Sequence, residues 1–219
     1  MDEKTFQRAR RPEQISARRE AILAAAAELF DAEGPGGAGL NAIAARAGFA
    51  KSNVYRYFES REAVLISLHQ MELAAMTDAV EARLARCAPG DLDAAATAIA
   101  ECYLERPRLG RLLSVLTSML EENVSREAIL AMKRESLGLI ARLLAALNRV
   151  LPDLSPDECA WAWMMGSLFF VGLWPAAHPS PAAAEVLAMD EFCVMKVVAE
   201  RDAKRGLLTI LRGIVASKA

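Results

Sequence analysis

The chain has 219 residues, 26 Lys/Arg against 28 Asp/Glu, and a formal net charge of -2. That length can bury about 70% of the unfolded surface, and the charge balance excludes a polycation, so any nucleic-acid contact must come from a local basic patch. Alanine, leucine, arginine and glutamate dominate and β-branched residues are sparse, which points to an all-α fold.

A flexible basic tail is expected over 1–11; Arg8, Arg10, Arg11, Arg18 and Arg19 face only Glu13. A helix should begin between Pro12 and Ser16, since proline suits a first helical turn. Its apolar stripe is Ile22, Ala25, Ala26, Leu29 and Phe30, the spacing of one helix face. Gly34-Pro35-Gly36-Gly37 ends it. A short helix from Leu40 to Ala47 should turn Leu40, Ile43, Ala44 and Ala47 inward. Gly48 then breaks the chain before a second short helix over about Lys51 to Phe58. Two short helices joined by a tight glycine turn form a helix-turn-helix.

Ser60 is the expected N-cap of a long helix running to about Arg86, with Val64, Leu65, Leu68, Met71, Leu73 and Met76 as its stripe. Pro89-Gly90 and Pro107 bound the next helix, about 91–105. Further helices are expected over 108–122, 126–150, 156–174 and 191–216. No run alternates with period two long enough to argue a strand.

Cys87, Cys102, Cys159 and Cys193 include no C-x-x-C pair. Each lies in an apolar neighbourhood, as expected of reduced core thiols in a cytosolic protein. The N-terminus is polar, without a signal-peptide run. Residues 159–177 are uncharged and long enough to span a membrane. Their flanks carry Asp157, Glu158 and Glu185 and no Lys/Arg cluster to set orientation, so a buried helix is the expectation and a membrane tether the alternative.

The first turn of a helix in the DNA major groove reaches base edges. Lys51, Ser52 and Asn53 would occupy that turn, at a helix end that favours phosphate. Asn53 can pair with adenine, and Lys51 can donate to guanine or phosphate. Tyr55 and Tyr57 can donate to phosphates, Arg61 can clamp the flanking backbone, and Val54 and Phe58 should point inward. Taken singly, the tyrosines would be packing residues and Arg61 a solvated charge; the ordered combination is what points to DNA.

The stretches Ile22-Leu23-x-Ala-Ala-x-x-x-Leu-Phe, Ile43-Ala44-x-x-Ala47 through Phe58, and Ser60-Arg61-Glu62-Ala63-Val64-Leu65 together resemble the DNA-binding domain of the tetracycline-repressor (TetR/AcrR) family. The resemblance covers about Arg18 to Leu65. It implies a three-helix DNA-binding domain over 12–60 and a divergent helical bundle over 61–219 for effector binding and dimerisation. It also implies a cytoplasmic homodimer, usually a repressor, on a palindromic double-stranded operator. The residues expected at DNA are Asn41, Phe49, Ala50, Lys51, Ser52, Asn53, Tyr55, Arg56, Tyr57 and Arg61. Family members usually carry Ser or Thr at the caps matching Gly39 and Ala50, and commonly Thr at position 53. Alanine is a poor cap, by about 1 kcal/mol, and a phosphate contact is lost with its hydroxyl.

Beyond Leu65 the residues speak alone. Trp163, Ser167, Phe170 and Trp174 share one face of a helix; Trp161, Met165, Leu168 and Gly172 share another. A helix apolar all round should be buried on every side, with Gly166 and Gly172 allowing close approach. The last helix carries the stripe Leu207, Leu208, Leu211, Ile214 and Val215. The helices near 156–174 and 191–216 are the expected dimer interface, two from each subunit. A small hydrophobic effector would meet Tyr103, Met119, Trp163, Ser167, Phe170, Trp174 and His178, though plain core packing explains each of these too. Its binding would tilt the long helix and change the spacing of two recognition helices, whose half-sites lie about 34–36 Å apart.

No metal or other cofactor is expected. Only His69 and His178 are available for acid-base work, neither in a catalytic motif, so an enzyme is excluded. A helical interaction module with a degenerate helix-turn-helix remains a further alternative.

Overall fold

The structure is a computed structural model. It describes residues 3–37 and 39–217, the side chains of residues 3–12 and of Thr117 excepted. Every regular element among the described residues is helical, and none is a strand. The helices are α1 (Glu3–Glu33), α2 (Leu40–Arg46), α3 (Lys51–Val54), α4 (Arg61–Leu84), α5 (Leu92–Leu104), α6 (Pro107–Val115), α7 (Arg126–Val150), α8 (Pro156–Ala177), α9 (Pro181–Leu187) and α10 (Ala199–Ala216). A π-helical turn spans Leu116–Leu120, and 3-10 turns span Glu121–Asn123 and Asp190–Met195. The chain divides into two compact units, Met1–Gln70 with Val115–Met132, and Met71–Ser114 with Lys133–Ala219.

In the first unit Ile22, Ala25, Ala26, Leu29 and Phe30 are all buried, as their spacing requires. Ile43 and Ala44 of α2, Val54 and Phe58 around α3, and Val64, Leu65 and Leu68 of α4 are buried as well. Each such side chain contributes roughly 1.5–3 kcal/mol on burial. Leu40 and Ala47 are only half-buried. Helical backbone starts at Glu3, ahead of the expected Pro12–Ser16, because the Glu, Gln and Arg residues there are good helix formers. The tail expected over 1–11 falls on residues whose side chains, or for Met1 and Asp2 whose whole placement, lie outside the described ones.

The second helix of the helix-turn-helix is shorter than expected. It stops at Val54, and Tyr55 to Tyr57 form turns in which Tyr57 N–H donates to the Val54 carbonyl at 2.9 Å. Aromatic and β-branched residues propagate a helix poorly, and the chain must leave it in time to start α4. The Ser60 hydroxyl caps that start, accepting from Ala63 N–H at 3.1 Å.

The second unit is built around Tyr103 of α5. Its ring is fully buried and stacks on Phe170 with centroids 3.9 Å apart. Its hydroxyl donates to the Phe170 carbonyl at 2.8 Å. Burial pushes this phenol well above its usual range. Around the stack lie Val80, Leu84, Ile99, Leu109, Leu147, Leu173, Leu207 and Leu211. Helix α8 opens with Pro156 behind a capping box in which Ser155 Oγ accepts from Glu158 N–H and Glu158 Oε2 accepts from Ser155 N–H.

Several expectations for this half are corrected. The helix expected over 108–122 is α only to Val115 and continues as π and 3-10 turns. The helix expected over 191–216 is broken: residues 190–195 form a 3-10 turn and α10 starts at Ala199. Val194, Val197 and Val198 cluster at the break, and branched side chains favour extended backbone; Val198 is extended. An additional short helix, α9, is capped by Ser180 and opened by Pro181. Met71 is exposed rather than part of the α4 stripe. Cys102 and Cys159 are buried, but Cys193 is exposed; none of the four forms a disulfide among the described residues.

Helix α8 is not buried on every side. Phe170 and Trp174 face the core, while Trp161, Met164 and Leu168 stand 51%, 45% and 61% exposed. Of the outer face read from the sequence, Trp161, Leu168 and Gly172 are exposed and Met165 is half-buried, while Met164, assigned to neither face, is open. Gly166 approaches Leu207, whereas Gly172 meets nothing. By length and composition α8 is long and apolar enough to cross a membrane.

Candidate nucleic-acid interface

The turn between α2 and α3 is closed by Gly48, which takes φ 74°. Gly48 N–H donates to the Ala45 carbonyl at 3.2 Å and Phe49 N–H to the Ala44 carbonyl at 2.9 Å, the paired bonds of a glycine-terminated helix end. A β-carbon at position 48 would be strained in this left-handed region. The turn sets the entry of α3, and Val54 and Phe58 fix its inner side by burial.

What remains outside is a compact polar group. Lys51, Ser52, Asn53, Tyr55 and Arg56 are exposed, as are Asn41 at the start of α2 and Ala50. Phe49, Tyr57 and Arg61 are half-buried, and Arg61 Nη1 lies 3.4 Å from Glu62. The Lys51 ammonium sits 5.8 Å from the Tyr55 ring centroid. Asn53 N–H donates to the Ala50 carbonyl at 2.9 Å, and no side chain caps the start of α3, since Ala50 holds the N-cap place with φ -66° and ψ 145°. Gly39 likewise starts α2 with no side-chain cap. Both departures seen in the sequence thus stand at real helix starts.

Two supports lay beyond sequence reading. The Arg19 guanidinium rests 4.5 Å over the Phe58 ring and donates to Ser67 Oγ at 2.9 Å, joining α1, the end of the reading segment and α4. Glu59 accepts the Ser125 N–H at 2.7 Å. Both pairs are far apart in the chain, and no local pattern marks them.

The effector candidates do not form one group. Met119 belongs to the first unit and is exposed. Tyr103, Phe170 and Trp174 are core residues of the second. The His178 ring stacks on Trp174 at 3.9 Å and its Nδ1–H donates to the Trp174 carbonyl at 2.9 Å. Trp163, Ser167 and Phe170 do line a shared gap with Ile99, Leu147 and Leu207. The gap measures about 20 Å³, room for one water and not for a drug-sized molecule. Ser167 Oγ is already bonded to the Trp163 carbonyl at 2.8 Å.

A glycine-closed turn, an anchored short helix with exposed polar residues in its first turn and an all-helical remainder define a DNA-binding transcription regulator. Residues 22–68 match the model of bacterial regulatory proteins of the tetR family, and residues 70–218 match the tetracyclin repressor-like C-terminal domain. The chain belongs to the TetR family of transcriptional regulators. Members are DNA-binding regulators rather than enzymes, typically ligand-responsive repressors that act as dimers.

Solved structures share the fold at low identity. A TetR-family transcriptional regulator from Streptomyces coelicolor superposes with TM-score 0.60 at 21% identity, over 90% of this chain and 99% of that one. The fatty acid degradation regulator FadR from Bacillus halodurans gives 0.54 at 18%, over 87% and 94%. SmeT, repressor of the Stenotrophomonas maltophilia multidrug efflux pump SmeDEF, gives 0.51 at 22%, over 89% of each chain. No curated protein matches by sequence.

Proposed function

We propose that the chain is a cytoplasmic repressor that binds a palindromic operator as a homodimer and leaves it when a small, largely hydrophobic molecule binds the second unit. The observation that carries the DNA reading is the exposure of Lys51, Ser52 and Asn53 in the first turn of a helix pinned by buried Val54 and Phe58. Asn53 would read bases, Lys51, Ser52, Tyr55 and Tyr57 would hold phosphates, and Arg61 would clamp the flank. Asn41, Phe49, Ala50 and Arg56 complete the surface. The domain borders follow the same reading, with DNA binding carried by 12–60 and the effector and dimer functions by 61–219.

Support for the dimer is the open apolar row Trp161, Met164 and Leu168 on α8, the exposed Val215 on α10, and the family's habit. Support for a hydrophobic effector is the apolar lining of the gap between Trp163, Phe170 and Leu147; its size means that binding must open it. Selection of operators from random DNA by the full chain, followed by a gel shift, tests the reading. Failure to enrich any sequence would leave a helical module with a degenerate helix-turn-helix. The open face and hydropathy of α8 favour one rival, a membrane tether. Recovery of the chain only in the detergent-extracted membrane fraction would support that rival.

A further inference from the structure

From these contacts we infer that Glu59 is a positioning residue for DNA reading, which ties the end of the reading segment to the first turn of α7. The inference rests on the DNA-binding surface proposed above and adds a second line of control to it. Glu59 stands between Phe58, the buried anchor of the reading segment, and Ser60, the cap of α4. Its Oε1 accepts from Ser125 N–H at 2.7 Å. Ser125 in turn starts α7: its hydroxyl accepts from Ala128 N–H at 3.2 Å and its carbonyl from Ile129 N–H at 3.1 Å. The carboxylate therefore meets the positive end of a 25-residue helix, a charge-assisted bond that the helix dipole favours.

A second tie holds the same stretch. Gln70 Nε2 of α4 donates to the Met132 carbonyl of α7 at 3.0 Å, in a buried setting. Helix α7 then continues to Val150. On that continuation Leu143, Ala146 and Leu147 enter the core of the second unit, and Leu147 is a wall of the apolar gap. The same helix carries a wall of the gap, and the residue before its first turn supplies the N–H that grips Glu59. A shift of the first turn of α7 would reach the reading segment through Glu59 as well as through the Gln70 tie to α4. By reciprocity, DNA binding must alter α7.

The test uses the full chain and the operator it selects in vitro. Amide hydrogen exchange is followed over 125–150 with and without that operator. In the unaltered protein, operator binding slows exchange in the first turns of α7. Glu59→Ala and Ser125→Pro, which removes the N–H itself, abolish that response and weaken operator binding about three- to tenfold, while non-specific binding is unchanged. Glu59→Gln, which keeps an acceptor oxygen, and Ser125→Ala, which keeps the N–H, retain the response. A purely structural role would not separate these pairs, since Ser125→Ala also loses a helix cap. An operator-bound protein with no change in α7, or Glu59→Ala responding as the unaltered chain does, overturns the inference while leaving the proposed function standing. Failure to select any operator overturns both.

Discussion

The ring of Trp174 lies against the backbone of Gly110, so close that a β-carbon there would come within 2.3 Å of it. Helices α6 and α8 meet through a glycine, and the indole fills the place of the missing side chain. Gly110→Ala must push Trp174 aside, and Trp174 is held by an edge contact to Tyr103 and by the stacked His178 ring. Overpacking of this kind costs about 1–3 kcal/mol. Chemical denaturation should show that loss, and Trp174 fluorescence should shift. An unchanged midpoint would mean that the indole moves freely.

The reading surface makes a two-part prediction. Lys51→Ala, if the ammonium meets a phosphate, weakens binding to all sequences and lowers the salt slope by about 1. Asn53→Ala changes the preferred operator sequence in a selection experiment if its exposed amide reads base edges as proposed. An unchanged preference would remove Asn53 from base reading. A Lys51→Ala loss confined to one base position would make Lys51 a direct reader.

How much of this was legible in the sequence depends on range. The stripe from Ile22 to Phe30, the Gly48 turn and the Ser60 cap are local patterns, and each stands where the pattern puts it. The ends of elements were less legible, because competing preferences decide them. Pro12 does not start α1, and Val194 to Val198 break what looked like one last helix. Long-range pairs such as Glu59 with Ser125 or Arg19 with Phe58 leave no local trace. The exposure of Leu168 was hidden for another reason: an apolar residue reads the same whether its own chain or a partner covers it.

The absent cap at Ala50 can be restored. Ala50 has the extended backbone of an N-cap, with φ -66° and ψ 145°, and no side-chain bond. Ala50→Ser should stabilise the first unit by about 1 kcal/mol and, through a new phosphate contact, tighten operator binding. Thermal unfolding and a gel shift measure the two separately. A gain in stability without a gain in affinity would place position 50 away from the phosphates.

Acid should weaken the start of α10. Arg201 donates twice to Asp202, at 2.7 and 2.8 Å, and Val198 N–H donates to it at 2.8 Å. Led by the Arg201 bond, these hold the carboxyl at about 2, below its ordinary 3.8. A depressed carboxyl stabilises the fold above its unfolded value and stops doing so as pH falls through the folded one. Asp202→Asn should therefore be less stable than the unaltered chain at pH 5, by about 1 kcal/mol or less given the exposure of Arg201. The two should converge towards pH 2. A constant gap across that range would assign the effect to lost packing.

The outer face of α8 decides between a soluble dimer and the other readings. Leu168 is 61% exposed and stands one and two turns from Met164 and Trp161 on the same open face. A soluble chain rarely leaves such a row bare unless a partner covers it. Leu168→Glu would bury a charge in a dimer interface, which costs several kcal/mol, but would leave an isolated subunit untouched because the side chain meets water there. The expected result is a monomer by light scattering with unchanged helical content. Operator affinity should fall about a hundredfold or more, since two linked half-site contacts become one. A variant that stays dimeric would move the interface off this face; a variant that is monomeric yet binds operator fully would show that dimerisation is not what holds the two reading heads on DNA.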